Sequence, residues 1–207
     1  MVGGQSSYGT IDITDGGSYT KPNELTISGD LMMGPNPSGN GTFTGVGLGF
    51  WEDGTTSNAA RVDFVGVVMD VQGNLNLQDF NTKHASVAFG AGPFLLSTFY
   101  HLSYTIDIAN DEITAISFTG PNAPSAAAVD AAFLGVIPFG AGDAVSLALN
   151  TNYAGFYSHN GVGKLDYVDN FLLEGAAAVP EPSTLVLAFL GLLGLVAFGW
   201  RRKRRQA

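Results

Sequence analysis

The segment Leu102-Ser103-Tyr104-Thr105-Ile106-Asp107-Ile108 decides the fold class of this chain. Apolar residues take every second position, and Ser103, Thr105 and Asp107 take the positions between them. A period of two is typical of a strand with one face in a core and the other in water. The segment therefore predicts a half-buried β-strand.

Short runs of the same kind, rich in β-branched and aromatic residues, fill the chain on both sides of this strand. Turn signals such as Asn40-Gly41 and Asp53-Gly54 separate them, and only residues 124–134, with their alanines, predict a short helix. Many short strands at even spacing favour an antiparallel sandwich over βαβ units. We therefore predict an all-β fold, an antiparallel β-sandwich over residues 1–175. The other strands are predicted at residues 10–14, 25–28, 42–50, 61–71, 85–89, 113–119, 144–149, 155–157 and 165–173.

Charge is distributed unevenly along the 207 residues. Residues 1–179 carry 17 acidic side chains against four basic ones, whereas the only acidic residue after them is Glu181. Because a strongly acidic surface repels phosphate backbones, we expect no nucleic-acid partner. The chain has no Cys, which excludes disulfides and thiolate metal sites.

The C-terminal end has the composition of a membrane anchor. Sixteen uncharged residues begin at Leu185 and end at Trp200, and the uncharged run is 19 residues when counted from Pro182. As a helix, such a run spans about 28 Å, close to the hydrocarbon core of a bilayer. Positive flanks stay on the cytoplasmic side, which would place the sandwich outside. We predict a linker at 176–184, a single transmembrane helix at 185–200 and a basic cytoplasmic tail at 201–207 that contains Arg201, Arg202, Lys203, Arg204 and Arg205.

The order Val179-Pro180-Glu181-Pro182, apolar helix and basic end closely resembles the PEP-CTERM sorting signal of Gram-negative bacteria that make exopolysaccharide. The resemblance implies that Pro180, Glu181 and Pro182 are recognised by an exosortase. It also implies a transient single-pass precursor in the inner membrane, followed by delivery to the cell surface or extracellular matrix. The two prolines fix the backbone on either side of Glu181 in an extended form.

Proteins with this signal begin with a secretory signal peptide. Residues 1–7 contain neither a charged n-region nor an apolar h-region. We therefore expect the natural start to lie upstream, or the sequence to be a fragment.

A second resemblance concerns the strand predicted at residues 102–108 and the residues just before it. The residues Phe99, His101, Thr105 and Asp107 are similar to the W-x-H-x-x-x-T-x-D segment of concanavalin-like and laminin-G-like jelly rolls, with Phe in place of the usual Trp. Those folds often bind glycans, which implies exopolysaccharide or another glycan as a partner of the body.

Catalytic and zinc motifs are missing from the sequence. No E-x-D-x-E or G-x-S-x-G pattern occurs, and the adjacent acidic pairs Glu52-Asp53 and Asp111-Glu112 sit in turn-like sequence. The histidines are too far apart for a zinc motif. We therefore expect no enzyme activity and no firm metal site.

Calcium is the one cofactor that we retain as a hypothesis, because oxygen ligands are plentiful in two places. The first set is Asp107, Asn110 and Asp111, and the second is Asp166, Asp169 and Asn170; turn chemistry explains both sets equally well.

The sequence thus favours a noncatalytic, exported surface or matrix protein that an exosortase processes. The alternatives are a glycan-binding, lectin-like module on the same anchor and a polysaccharide hydrolase with a nonstandard site. One aromatic cluster bears on the lectin-like alternative, and it consists of Tyr153, Phe156, Tyr157 and His159. The cluster is either a platform on which sugars stack or part of a buried sandwich face.

Overall fold

The computed structural model describes nine stretches of the chain: residues 5–13, 24–35, 45–51, 64–79, 83–89, 94–108, 110–135, 153–160 and 166–175. The contacts divide the chain into two compact units, Met1–Gly175 and Ala176–Ala207. The second unit lies outside the described residues, and so do the predicted linker, the predicted transmembrane helix and the basic tail.

Ten strands and one helix make up the described part of the first unit. The strands are β1 (Gln5–Asp12), β2 (Glu24–Met32), β3 (Gly45–Trp51), β4 (Val65–Asp70), β5 (Asn74–Asp79), β6 (Lys83–Ala88), β7 (Phe99–Asp107), β8 (Glu112–Thr119), β9 (Tyr153–Asn160) and β10 (Tyr167–Gly175), and the helix α1 (Ala126–Phe133) lies between β8 and β9.

The strands form two antiparallel sheets. One has six strands in the order β1-β9-β3-β4-β5-β6, and the other has four in the order β10-β2-β7-β8. Strands that follow one another in sequence often belong to different sheets, so the chain crosses repeatedly between the two layers. This is the antiparallel β-sandwich that the alternating sequence predicts.

The core lies between the sheets, where strands such as β7 turn every second side chain inward. Leu102, Tyr104 and Ile106 of β7 are buried, and Leu48 of β3 meets them from the other sheet. The Tyr104 hydroxyl donates a hydrogen bond to the Leu48 carbonyl at 2.8 Å, which joins the two layers through a polar contact inside the core. Burial raises the pKa of Tyr104, so this phenol stays protonated as a donor.

Helix α1 packs against β8 of one sheet and β6 of the other. Its first turn is capped by Ser125, whose hydroxyl accepts a hydrogen bond from the Ala128 N–H. Val129 and Phe133, four residues apart on one face, are the buried side chains of the helix. The short helix predicted at 124–134 is therefore confirmed.

The glycines of β3 explain how closely it approaches β4. Gly49 lies opposite Gly66, and a Cβ on either would overlap the backbone of the other strand. The glycines at these positions therefore allow the close contact of β3 and β4 within the sheet.

Strand β10 contains an irregularity that simple alternation does not predict. A β-bulge between Asp169 and Leu172 shifts the register, and Asn170 adopts a left-handed backbone with φ of 50°. Because of this extra residue, half-exposed Tyr167 faces away from the core while Phe171 packs against it. Simple alternation along residues 165–173 predicts Tyr167 and Phe171 on the same face, and this prediction is wrong because the bulge places them on opposite faces.

In the part of the chain that the structure describes, no helix has the length and hydropathy needed to cross a bilayer.

Candidate functional site

The outward face of the four-stranded sheet carries a cluster of polar side chains. The imidazole Nδ1 of His101 lies 2.7 Å from Asp30 Oδ1, and the Asn170 Nδ2 donates to Asp30 Oδ2 at 2.6 Å. We call Asp30, His101 and Asn170 the polar cluster. It joins three strands, since these residues come from β2, β7 and β10.

Strand register brings Asp30 and His101 together, because they are direct cross-strand partners. The bulge in β10 supplies the third member. Asn170 stands at the extra residue, and its backbone N–H bonds to Asp169 Oδ1 at 2.8 Å. A left-handed non-glycine residue costs free energy, so the contacts around Asn170 hold this strained conformation.

Hydrogen bonds stabilise the ionised form of Asp30. The Asn170 amide and then the His101 ring stabilise the Asp30 carboxylate and hold its pKa below the ordinary value of 3.8, although partial burial acts in the opposite direction. Asp30 is therefore ionised at neutral pH. The polar cluster offers three planar hydrogen-bonding groups: the carboxylate of Asp30, the amide of Asn170 and the imidazole of His101.

A row of large apolar side chains lies beside the polar cluster on the same face. Tyr167, Met32 and Phe99 are register partners across β10, β2 and β7, and we call them the aromatic row. Tyr167 and Phe99 are each 45% exposed. Phe99 lies two residues before His101 on β7, so the row and the cluster form one continuous surface.

The outward face of the six-stranded sheet is different, because three of its polar side chains, Asp70, Asn76 and Gln78, are buried. The fully buried Asp70 accepts hydrogen bonds from the side chains of Asn74 and Asn76 and from Lys83 Nζ, which lies at 3.2 Å. Backbone N–H groups of the following turn donate to the same carboxylate. With so many donors, Asp70 serves to hold the β4–β5 turn and the sheet together.

Three members of the aromatic cluster of β9 take part in hydrophobic packing, namely Tyr153, Phe156 and Tyr157. Tyr157 is buried and stacks on Phe64 with ring centroids 4.7 Å apart, and Trp51 also packs against Phe64, with centroids 5.0 Å apart. Phe156 packs against the main core. These positions favour the buried-face interpretation over a sugar platform; the His159 side chain lies outside what the structure describes.

The first calcium set lies in the turn between β7 and β8. Asn110 donates its backbone N–H and its Nδ2 to the two oxygens of Asp107, at 3.2 and 2.7 Å. Asp111 follows with a left-handed φ of 53°. In the second set, the Asp166 carboxylate accepts hydrogen bonds from the Ser158 hydroxyl and the Gly34 N–H.

Within the described ranges, no three His, Asp or Glu side chains converge as a metal site would require. Calcium binding at Asp107, Asn110 and Asp111 therefore stays a prediction.

Sequence reasoning found part of this surface and missed the rest. Phe99, His101, Thr105 and Asp107 were singled out as a motif, and they all lie on the outward side of β7. Asp30 was missed because its partner is 71 residues away in the chain. The predicted processing motif, Val179, Pro180, Glu181 and Pro182, lies outside the described residues.

Several solved structures are similar to this chain. A human galectin-16 variant is 9% identical, with a TM-score of 0.43, over 81% of this chain and 94% of that one. The carbohydrate recognition domain of Emp47p is 13% identical, with a TM-score of 0.47, over 84% and 81%. The catalytic domain of a glycoside hydrolase family 131 protein from Coprinopsis cinerea is 16% identical, with a TM-score of 0.40, over 77% of this chain and 59% of that one.

Sequence comparisons point to the C-terminal end. No curated protein matches the chain at a significant level. Residues 178–205 match the family model of the PEP-CTERM protein-sorting motif, and the chain thus carries this sorting motif at its C-terminal end.

Proposed function

We propose that this chain is a noncatalytic protein of the cell surface or extracellular matrix, exported by a Gram-negative bacterium and processed by an exosortase. The observation that carries the proposal is the match of residues 178–205 to the PEP-CTERM protein-sorting motif. Pro180, Glu181 and Pro182 are the proposed recognition element, and the inner membrane holds the precursor until it is processed.

The physical order of the tail supports this function. An uncharged run that ends at Trp200 has the length to enter a bilayer, and five cations follow it at once. Because such cations stay on the cytoplasmic side, the acidic sandwich is expected on the outer side, where an extracytoplasmic protease could reach the linker.

Fractionation of a host that contains the exosortase tests the proposal. The protein is expressed from a reading frame with a secretory signal, and its body is followed by immunoblot. We expect a shortened form at the surface or in the medium, and a full-length form in the inner membrane when the exosortase gene is deleted. A full-length form that reaches the surface in the deletion strain would contradict the proposal.

Substitutions in the motif locate the processing site. Pro180→Ala with Pro182→Ala is expected to leave the precursor in the membrane, because the fixed extended strip around Glu181 is lost. Pro35→Ala, a proline change in the body, is the matched control and should be processed normally. Equal processing of both variants would exclude the motif as the recognition element.

A glycan-binding role for the body is the second candidate function. The observation that favours it is the open face of the four-stranded sheet, where exposed aromatic rings adjoin oriented polar groups. Glycan binding and sorting are compatible, because one function belongs to the sandwich and the other to the tail.

A further inference from the structure

We propose that an uncharged polysaccharide binds across the open face of the four-stranded sheet, stacked on the aromatic row and hydrogen-bonded to the polar cluster. The inference rests on the proposed glycan-binding function and adds to it the site and the class of ligand.

The aromatic row supplies the apolar contact. Tyr167 and Phe99 are each 45% exposed, whereas Tyr100 and Tyr104 of the same sheet are buried. Exposed apolar groups that adjoin one another on a surface mark an interaction site. Tyr167 and Phe99 are two strand spacings apart, about 10 Å, a distance that a short run of linked sugar rings spans.

Flat aromatic rings suit such a ligand. A pyranose has an apolar face of C–H groups and a rim of hydroxyls, so it stacks on an aromatic ring and offers its hydroxyls to polar neighbours. Tyr and Phe provide large contact areas with few rotatable bonds, which keeps the entropy cost of binding low. Met32, between the two rings, adds a flexible apolar side chain to the surface.

The polar cluster supplies the hydrogen bonds. Asp30 accepts hydrogen bonds, Asn170 offers an amide, and among the described residues the Nε2 of His101 has no hydrogen-bond partner. The bonds of 2.7 and 2.6 Å fix the orientation of these groups before a ligand arrives. Such preorganisation improves affinity because less freedom is lost on binding.

Charge selects the ligand class. The outward positions of the face include the carboxylates of Glu24, Asp30, Asp169 and Glu174, and no Lys or Arg stands on its four strands. A surface of one sign repels polymers of the same sign. The ligand is therefore an uncharged polymer and not a uronate or a sulfated glycan. A second copy of the chain, docked face to face, would oppose like-charged carboxylates, which disfavours self-association.

Binding to soluble polysaccharides tests the inference. The full chain, in a mild detergent, is titrated calorimetrically with a β-glucan, an α-glucan and a galactomannan, and with alginate as the anionic polymer. We expect at least one uncharged polymer to bind and alginate not to bind. Phe99→Ala and Tyr167→Ala should each weaken binding at least about tenfold.

Matched variants separate the site from general damage. Leu172→Ala removes a side chain that is 49% exposed on the same face but outside the aromatic row, and binding should change less than about twofold. Phe99→Trp keeps a stacking ring and should retain binding. Asp30→Asn, which keeps the shape but removes the charge, should weaken binding while thermal unfolding confirms that the variant folds.

Each other outcome overturns a different part of the proposal. If an uncharged polymer binds all variants equally, the face is not the site although glycan binding stands. If no polymer binds, the glycan-binding function and this inference both fail, while the sorting proposal is unaffected. Equal affinity for alginate would contradict the charge argument. If sedimentation shows a dimer that Phe99→Ala dissociates without an effect on glycans, the face is a self-association surface.

Discussion

Removal of one hydroxyl group, in Tyr104→Phe, tests whether the two sheets pack as described. The Tyr104 side chain is fully buried and donates across the sandwich to the Leu48 carbonyl at 2.8 Å. Its ring also meets Phe50 edge-on, with centroids 6.4 Å apart. Phe keeps the ring contacts and deletes only the donor, so the change isolates the inter-sheet hydrogen bond.

The expected cost follows from the environment of that bond. A typical intramolecular hydrogen bond contributes about 1 kcal/mol net, and a buried acceptor left without its donor adds a desolvation cost, so we expect a loss of about 1.5 kcal/mol. For a domain of this size, that loss lowers the melting temperature by about 3–6 °C. The measurement is thermal unfolding of the full chain in mild detergent, monitored by near-ultraviolet circular dichroism.

Tyr167→Phe is the matched control, because Tyr167 is half-exposed and its hydroxyl has no described partner in the core. We expect a change within about 0.5 kcal/mol. Equal melting temperatures for Tyr104→Phe and the unaltered protein would refute the inter-sheet contact. An equal loss in both variants would show that the hydroxyl effect is not specific to the core.

Three acidic side chains, Asp30, Asp70 and Asp107, give further predictions. The pKa of Asp30 is lowered in the fold, so its contribution to stability is present above its ordinary value of 3.8 and is lost as the pH falls through the lower folded value. Asp30→Asn should thus melt lower than the unaltered protein at pH 7 and equally at strongly acid pH; parallel melting curves at all pH values would contradict this. Asp70→Asn, which puts an amide donor against the Asn74 and Asn76 donors, should lower the free energy of unfolding by about 3 kcal/mol, and urea unfolding with no shift in midpoint would disprove the role of Asp70. If Asp107 helps to bind calcium, millimolar calcium raises the melting temperature and Asp107→Ala abolishes the rise; no rise with calcium rules out the site.

Local pattern predicts much of the fold. Strand β7 and helix α1 were found at nearly the predicted positions, because alternation and an alanine-rich segment after Ser125 depend on residues close in sequence. Strand β5 was missed although Leu75 and Leu77 alternate with polar residues. Its first residue, Asn74, follows Gly73, and the pair reads as a turn signal. The strand predicted at 144–149 lies outside the described residues.

Long-range pairing sets the remaining features, which local pattern does not predict. The sheet order depends on contacts between strands far apart in the chain. At the bulge, the side chain of Asn170 donates a hydrogen bond to Asp30, which lies 140 residues away. The polar cluster could therefore be recognised only after register placed its members side by side. The tail is the opposite case, since its three parts are contiguous and can be recognised without a fold.

The C-terminus of the mature protein tests the central claim most directly. Mass spectrometry of the protein recovered from the cell surface or medium should show a chain that ends near Pro180-Glu181-Pro182 and lacks Arg201 to Arg205. A surface protein that retains the basic tail, or an intact chain found only in the cytoplasm, would contradict the account.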